Sequence, residues 1–291
     1  MSIPAAFFGV VLIWATTPLA IKWSGEAAGY LFGVGARMLL GLFVCLVLIA
    51  VLGRKMRWHK KAMQTYVVAG LGLWGAMTTV YWGAQFISSG LVSVIFGFTP
   101  IISGVMAAIW LKEKVFTPFK ILGMLLGITG LAIIFFHSLN IGQGAVAGLL
   151  GVITSVTIHS LSMVGVKKVA AGLTALETTT GSLLIGVPLF LLAWGWDGAQ
   201  LPVALDSRSM AAIVYLGIVG SVVGFILYYY VLHHVEVNKV ALIPLATPIL
   251  AIFIGQWIND EVISVREWTG IGVILLGLSS FQWGGRRTIE S

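Results

Sequence analysis

Ten stretches of about twenty mostly apolar residues follow one another with short breaks, at 3–21, 30–52, 65–87, 91–111, 119–137, 145–166, 176–196, 209–232, 238–258 and 267–284. About twenty apolar residues are what a helix needs to cross a hydrocarbon core of about 30 Å. The chain is therefore expected to be a bundle of membrane-spanning helices. The apolar runs are continuous and lack the alternation of barrel strands, which argues against a β-barrel. Composition agrees, since 9% of the 291 residues are charged and 59% are hydrophobic, against roughly 25% charged in soluble domains. A net charge of +7 would suit a nucleic acid only if the basic residues crowded one solvated face, and no such face can be built here. The expected partners are the lipid bilayer and a small-molecule substrate, with no nucleic acid; a homodimer is compatible with the composition. The single cysteine, Cys45, rules out a disulfide framework and a Cys-based metal site. Neither a cofactor nor a metal is expected.

Orientation follows from the placement of basic residues, which concentrate in cytoplasmic loops. With the N-terminus inside, thirteen of the 17 Lys and Arg fall on the cytoplasmic side, the Arg54–Lys61 run among them. Only Lys22, Arg208 and Arg266 fall on the other side. Both termini are expected in the cytoplasm, with the first span retained because it lacks the basic start of a cleavable signal.

An offset of 148 residues places Thr99, Pro100 and Ile101 on Thr247, Pro248 and Ile249, Glu113 on Glu261, and Tyr81 on Tyr229. A shift of one residue then aligns Gly123 and Gly130 with Gly270 and Gly277. Matches of apolar residues carry little weight here, but the chain has only 8 prolines and 10 acids. Each half holds five spans, an odd number, so the second must enter the membrane from the opposite side. The expected fold class is an all-α membrane protein of ten transmembrane helices in two inverted five-helix repeats, at 3–137 and 145–284. Such repeats mark many secondary transporters, with the substrate site near the midplane between them.

The first span reads Leu-Ile-Trp-Ala-Thr-Thr-Pro from Leu12 to Pro18, with Lys22 beyond it and Arg37 early in the second span. The fourth and ninth spans carry Thr-Pro and end in Leu-Lys-Glu, to Glu113, and Asn-Asp-Glu, to Glu261, each followed by a glycine-spaced span. In these features the chain resembles the drug/metabolite transporter superfamily, in its ten-helix EamA-type exporter branch, over essentially its whole length. The resemblance implies export of a small metabolite, such as an amino acid, across the cell inner membrane.

Candidate site residues come from helical spacing. Trp74, Thr78, Tyr81 and Gln85 share one face of the third span, and Phe225, Tyr229 and His233 stand four apart in the eighth. They are expected to wall a central cavity, with an interfacial aromatic belt as the alternative for Tyr229 and His233. Trp14 of the first span is placed in the same cavity. Pro18, Pro100, Pro244 and Pro248 interrupt the first, fourth and ninth spans and are expected to act as gating kinks. Beside them, Thr17, Thr99 and Thr247 can pair freed backbone groups or touch substrate. Arg37 lies well inside a span; it is expected to snorkel to the outer interface, and the alternative is a substrate carboxylate or phosphate. His159 is expected to be a neutral interhelical partner, with a coupling role as the alternative. All ten acids fall at or beyond span ends, so no buried carboxylate is expected to carry a proton. Glu113 and Glu261 are expected to be structural charges that pair with Lys112, Lys114 or Arg266.

The chain has no Gly-x4-Gly-Lys-Ser/Thr loop, so an ion or solute gradient must supply the energy. An intramembrane enzyme acting on a lipid would need clustered chemistry at membrane depth. There is neither a His-Glu-x2-His nor an intramembrane acid pair, and an enzyme is not expected. A non-transporting scaffold subunit is the remaining alternative.

Overall fold

The computed structural model describes residues 2–26, 29–111, 117–141, 143–199, 201–202, 206–235, 240 and 243–286. Among them all regular structure is helical, as a lipid environment demands of backbone groups that water cannot reach. In chain order the helices are α1 (Ile3–Glu26), α2 (Tyr30–Val51), α3 (Lys60–Gly83), α4 (Ser89–Phe96), α5 (Thr99–Leu111), α6 (Pro118–Ile141) and α7 (Gln143–Val169). They continue with α8 (Ala175–Trp196), α9 (Ser207–Tyr215), a π-helical stretch at Leu216–Val223, α10 (Gly224–His234), α11 (Ile243–Asn259) and α12 (Val265–Arg286). Among the described residues six segments are long and apolar enough to cross a membrane: α1, α2, Ser89–Trp110, Gly144–Val169, α8 and Ser207–His234. Shorter apolar helices lie at Pro118–Ile134 and Leu250–Asn259. The chain is a multi-pass membrane protein.

The prolines act in different ways. Pro18 and Pro248 lie inside α1 and α11, whereas Pro100 stands in the first turn of α5, where the missing N–H costs nothing. The fourth apolar stretch is thus broken at Gly97 and Phe98, and Thr99 Oγ1 donates back to Phe96 O at 2.6 Å across the break. Pro244 falls in the first turn of α11. Glu113, Lys112 and Lys114 lie outside the described residues.

Small residues set the helix contacts, since helices in lipid associate mainly by close packing. A Cβ on Gly123 of α6 would lie 2.5 Å from Gly277 O of α12, and one on Gly130 would lie 2.6 Å from Gly270 O. The reverse holds as well, because a Cβ on Gly270 or Gly277 would lie 2.8 or 2.7 Å from the opposing carbonyl of Gly130 or Gly123. The α3–α7 contact repeats the device at Gly83 and Gly148, and Ser155 Oγ of α7 donates to Ala76 O of α3 at 2.6 Å.

At one end of the bundle Arg57 grips Glu177 at the start of α8 with two parallel hydrogen bonds, Nε to Oε1 at 2.7 Å and Nη2 to Oε2 at 2.6 Å. Glu177 also closes a capping box with Thr174. At the opposite end Arg208 at the start of α9 pairs with Glu26 at the end of α1.

These contacts set the sign of glycine substitutions. Gly123→Ala gains about 1 kcal/mol of helix propensity but drives a methyl into backbone, a cost of about 1–3 kcal/mol. Gly272→Ala meets nothing within 4 Å and keeps the gain. Thermal unfolding in detergent should show Gly123→Ala lower, and Gly272→Ala equal to or higher, than the parent protein.

Candidate functional site

The middle turns of α1, α3, α4, α7, α10 and α11, with one residue of α2, enclose a cavity of about 90 Å³. That holds on the order of half a dozen waters. The first half of the chain lines it with Trp14, Thr17 and Pro18 of α1, Arg37 of α2, Met77 of α3, and Ser93 and Phe96 of α4. The second half supplies His159 and Ser162 of α7, Phe225, Tyr228 and Tyr229 of α10, and Thr247 of α11.

Aromatic rings form one wall. Trp14 lies 5.2 Å from Tyr228, and the His159 ring is set among Trp14 at 5.8 Å, Tyr228 at 5.6 Å and Phe96 at 6.2 Å, all between centroids. Tyr229 follows Tyr228 at 5.1 Å and is buried, so it stands in the cavity wall and not in an interfacial belt. The hydroxyls are partly engaged. Ser93 Oγ donates to Thr247 Oγ1 at 3.3 Å, joining the two halves, and Thr17 Oγ1 donates to Ile13 O at 2.8 Å. The latter bond folds the Thr17 hydroxyl back onto its own helix, one residue before Pro18.

Arg37 corrects the snorkelling expectation. It is 1% exposed, turned inward to the cavity wall, with Nε donating to Ser221 Oγ at 2.9 Å and Nη1 to Tyr81 Oη at 3.4 Å. The reason lies in the π-helical stretch: it carries Ser221, and at Gly220 a Cβ would stand only 3.2 Å from Arg37 Nη2. Glycine leaves the guanidinium room to lie flat against the helix. π-Helical backbone is rare and frequently falls at functional sites.

The predicted face of α3 is divided. Tyr81 is buried and reaches the cavity only through Arg37, accepting also from Ser24 Oγ at 3.3 Å. Trp74 and Thr78 lie off the cavity, and Trp74 Nε1 and Thr78 Oγ1 are buried without a hydrogen-bond partner. Gln85 is exposed and folds back to Trp82 O at 3.4 Å. Thr99 and Pro100 sit at the α4–α5 break, also off the cavity. Sequence reasoning missed Ser93, Phe96 and Ser221. Ser221 sits in the glycine-rich run from Gly217 to Gly224, where small residues by themselves point only to close helix packing.

One turn beyond the cavity on α1 and α4 lies a charged cluster. Ser89 N donates to both carboxylate oxygens of Glu261 at 3.0 Å, Ser89 Oγ donates at 2.8 Å and Gly90 N at 3.4 Å. The carboxylate thus caps the N-terminus of α4, where backbone donors are otherwise unpaired. Lys22 Nζ approaches it at 3.3 Å and Asn259 Nδ2 at 3.2 Å, while Trp23 Nε1 donates to Asn259 Oδ1 at 2.9 Å. Lys22 therefore takes the place expected for Arg266, which is exposed. The turn explains the exchange: Asp260 adopts a φ of 48° and Glu261 N returns to Gly255 O at 3.2 Å, aiming the side chain back at α4. Burial raises the Glu261 pKa, but the Ser89 amide, Lys22, the Ser89 hydroxyl and the Gly90 amide outweigh it and hold it below the ordinary glutamate value.

At the other end, Val166 lines both the cavity and a larger vestibule of about 590 Å³. Thr65, Lys167, Tyr230, His233 and His234 border the vestibule. Lys167 Nζ caps the end of α10, donating to Leu232 O at 2.7 Å and Val235 O at 2.9 Å.

The EamA-like transporter family model matches residues 1–136 and again 146–281. The chain is similar to the uncharacterized transporter YoaV of Bacillus subtilis, with 26% identity over 92% of each chain. It is similar to the protein PagO of Salmonella typhimurium, with 24% identity over 96% of this chain and 92% of that one. It also matches the uncharacterized inner membrane transporter YedA of Escherichia coli, with 21% identity over 94% of this chain and 88% of that one. A crystal structure of 17% identity matches 97% of this chain and 98% of its own with a TM-score of 0.71, which shows the fold alone. A model that matches twice, in tandem, across nearly the whole chain places this membrane protein in the EamA-like transporter family.

Proposed function

We propose that the protein is a secondary transporter that exports a small organic metabolite, of the size of an amino acid, across the cell inner membrane by alternating access. The observation that carries this reading is a cavity walled by both halves of the chain, latched at one end by Glu261 and separated by the Val166 wall from a vestibule at the other. In the proposed orientation, with ten crossings and both termini in the cytoplasm, the Glu261 latch faces outward and the vestibule faces the cytoplasm. The conformation is then inward-facing, ready to load substrate for export.

The two ion pairs at opposite ends support an inverted repeat with units at 3–137 and 145–284. Arg57 and Arg208 are 151 residues apart, and so are Glu26 and Glu177, so each pair is the counterpart of the other on the opposite side. The glycine contacts of α6 and α12 support it too. Exchanging Gly123 with Gly270 and Gly130 with Gly277 turns each contact into the other. Rocking of one half against the other would break the Glu261 latch and form its counterpart at Glu113.

Purified protein in proteoliposomes should accumulate or exchange at least one solute from a panel of amino acids, organic acids, nucleosides and vitamins. Trp14→Ala should cut its rate at least tenfold, and Gln85→Ala should leave it unchanged. No movement of any solute under any imposed gradient would overturn the reading. Orientation is read in a Cys45→Ser background, where an impermeant thiol reagent added to whole cells should label Leu201→Cys and spare Lys60→Cys.

The latch should respond to pH with a definite sign. A depressed carboxyl pKa contributes stability above the ordinary glutamate range, and that stability is lost as pH falls through the lowered value. In cells carrying Ser93→Cys, labelling from outside, referred to a freely exposed cysteine in the same buffer, should rise on acidification. Glu261→Gln should raise it at neutral pH and remove the pH dependence. A pH response that survives in Glu261→Gln would show that another group controls closure.

A further inference from the structure

Arg37 stands in the cavity wall as a full positive charge without a described counter-charge. The ion pairs among the described residues are Lys22–Glu261, Arg57–Glu177 and Arg208–Glu26, all at helix ends, and none includes Arg37. Its placed contacts, the Ser221 and Tyr81 hydroxyls, are neutral. They orient the guanidinium without discharging it. A buried cation is costly unless an anion reaches it, and a guanidinium offers paired donors matched to a carboxylate. Arg37 is the one Lys or Arg among the described residues that line the cavity, and no carboxylate among them lines it to receive an ammonium. Ser93 and Thr247 are bonded to each other, and Thr17 is bonded to its own helix. A substrate ammonium would find no carboxylate partner there, and the repulsion of Arg37 would offset what the aromatic faces offer a cation.

We infer that the cavity takes a small organic monoanion, a carboxylate on an apolar or aromatic body with no ammonium, whose carboxylate pairs with Arg37. This rests on the transporter reading of the same cavity. Tyr81 and Ser221 are positioning residues, and the rings of Trp14, Phe96 and Tyr228 take the apolar body. Such a substrate also supplies an energy source. A monoanion leaving a cell that is negative inside runs down the membrane potential, about 50-fold in distribution per 100 mV, so export needs no titrating carboxylate in the cavity.

The test compares matched ligands on the purified protein by thermal shift and calorimetry: 4-methylpentanoate and 3-phenylpropanoate, their primary amides, and the amino acids leucine and phenylalanine. At least one carboxylate should bind ten or more times more tightly than its amide and its amino-acid counterpart. Arg37→Gln should weaken that binding at least 30-fold, with Arg37→Lys intermediate and Tyr81→Phe a few-fold weaker than the parent. Should Arg37→Gln fail to fold, the amide comparison still removes the charge from the ligand side. Equal binding of acid and amide, tighter binding of the amino acid, or no binding of either acid overturns the inference. In proteoliposomes, a valinomycin-set potassium potential should shift the distribution of the bound carboxylate about 50-fold per 100 mV. If an uncharged or zwitterionic solute moves instead, this inference fails and the transporter reading stands; if nothing moves, the transporter reading itself fails.

Discussion

Backbone amides in hydrocarbon have no water to bond, so each must be paired within the chain. The bundle depends on this constraint. It makes every span a helix, and it confines irregular backbone to places where protein surrounds it. Three such places, the Pro18 turn, the break between α4 and α5, and the π-helical stretch before α10, lie beside or border the cavity, whereas Pro188 inside α8 lies off it. Polar side chains gather at these places. Thr17 bonds a carbonyl in the turn before Pro18, Thr99 spans the break, and Ser221 faces Arg37 from the wide turns. A site in lipid is assembled where regular hydrogen bonding is interrupted and the protein supplies the missing partners.

Charge is spent as sparingly. The charged groups that form described ion pairs sit at or just beyond helix ends, and two of the carboxylates also satisfy terminal backbone groups. Glu261 caps α4 while holding Lys22, and Glu177 caps its own helix while holding Arg57. The second duty matters, because an exposed ion pair alone contributes about 1 kcal/mol or less. The carboxylate of Glu261 gains from amide donors that no surface pair would have.

Helical spans were legible because an uninterrupted apolar run of that length has few other solutions. Trp14, Thr17, Arg37, His159, Phe225, Tyr229 and Thr247 do come together in one cavity. The face of α3 was less legible. Where a helix is apolar all round, its sequence gives a weak rotational signal, and the cavity meets Leu73 and Met77 instead of Trp74 and Thr78. The burial of Arg37 depends on wide turns in a segment 184 positions away at Ser221, and no local pattern announces it. The partner of Glu261 was obscured similarly. Arg266 is its neighbour in sequence, but the left-handed Asp260 turns the carboxylate toward Lys22 and α4.

The glycine contact between α6 and α12 has a mechanical meaning beyond packing. In the proposed inverted repeat, the two contacts between Gly123 and Gly277 and between Gly130 and Gly270 exchange with each other when the halves swap shapes. In that proposal the region around them would lie on the symmetry axis and need no remaking. While the cavity walls moved, this pair would serve as the stationary pivot of the proposed cycle. Its tolerance to mutation should therefore be set by assembly of the bundle and not by the transport cycle.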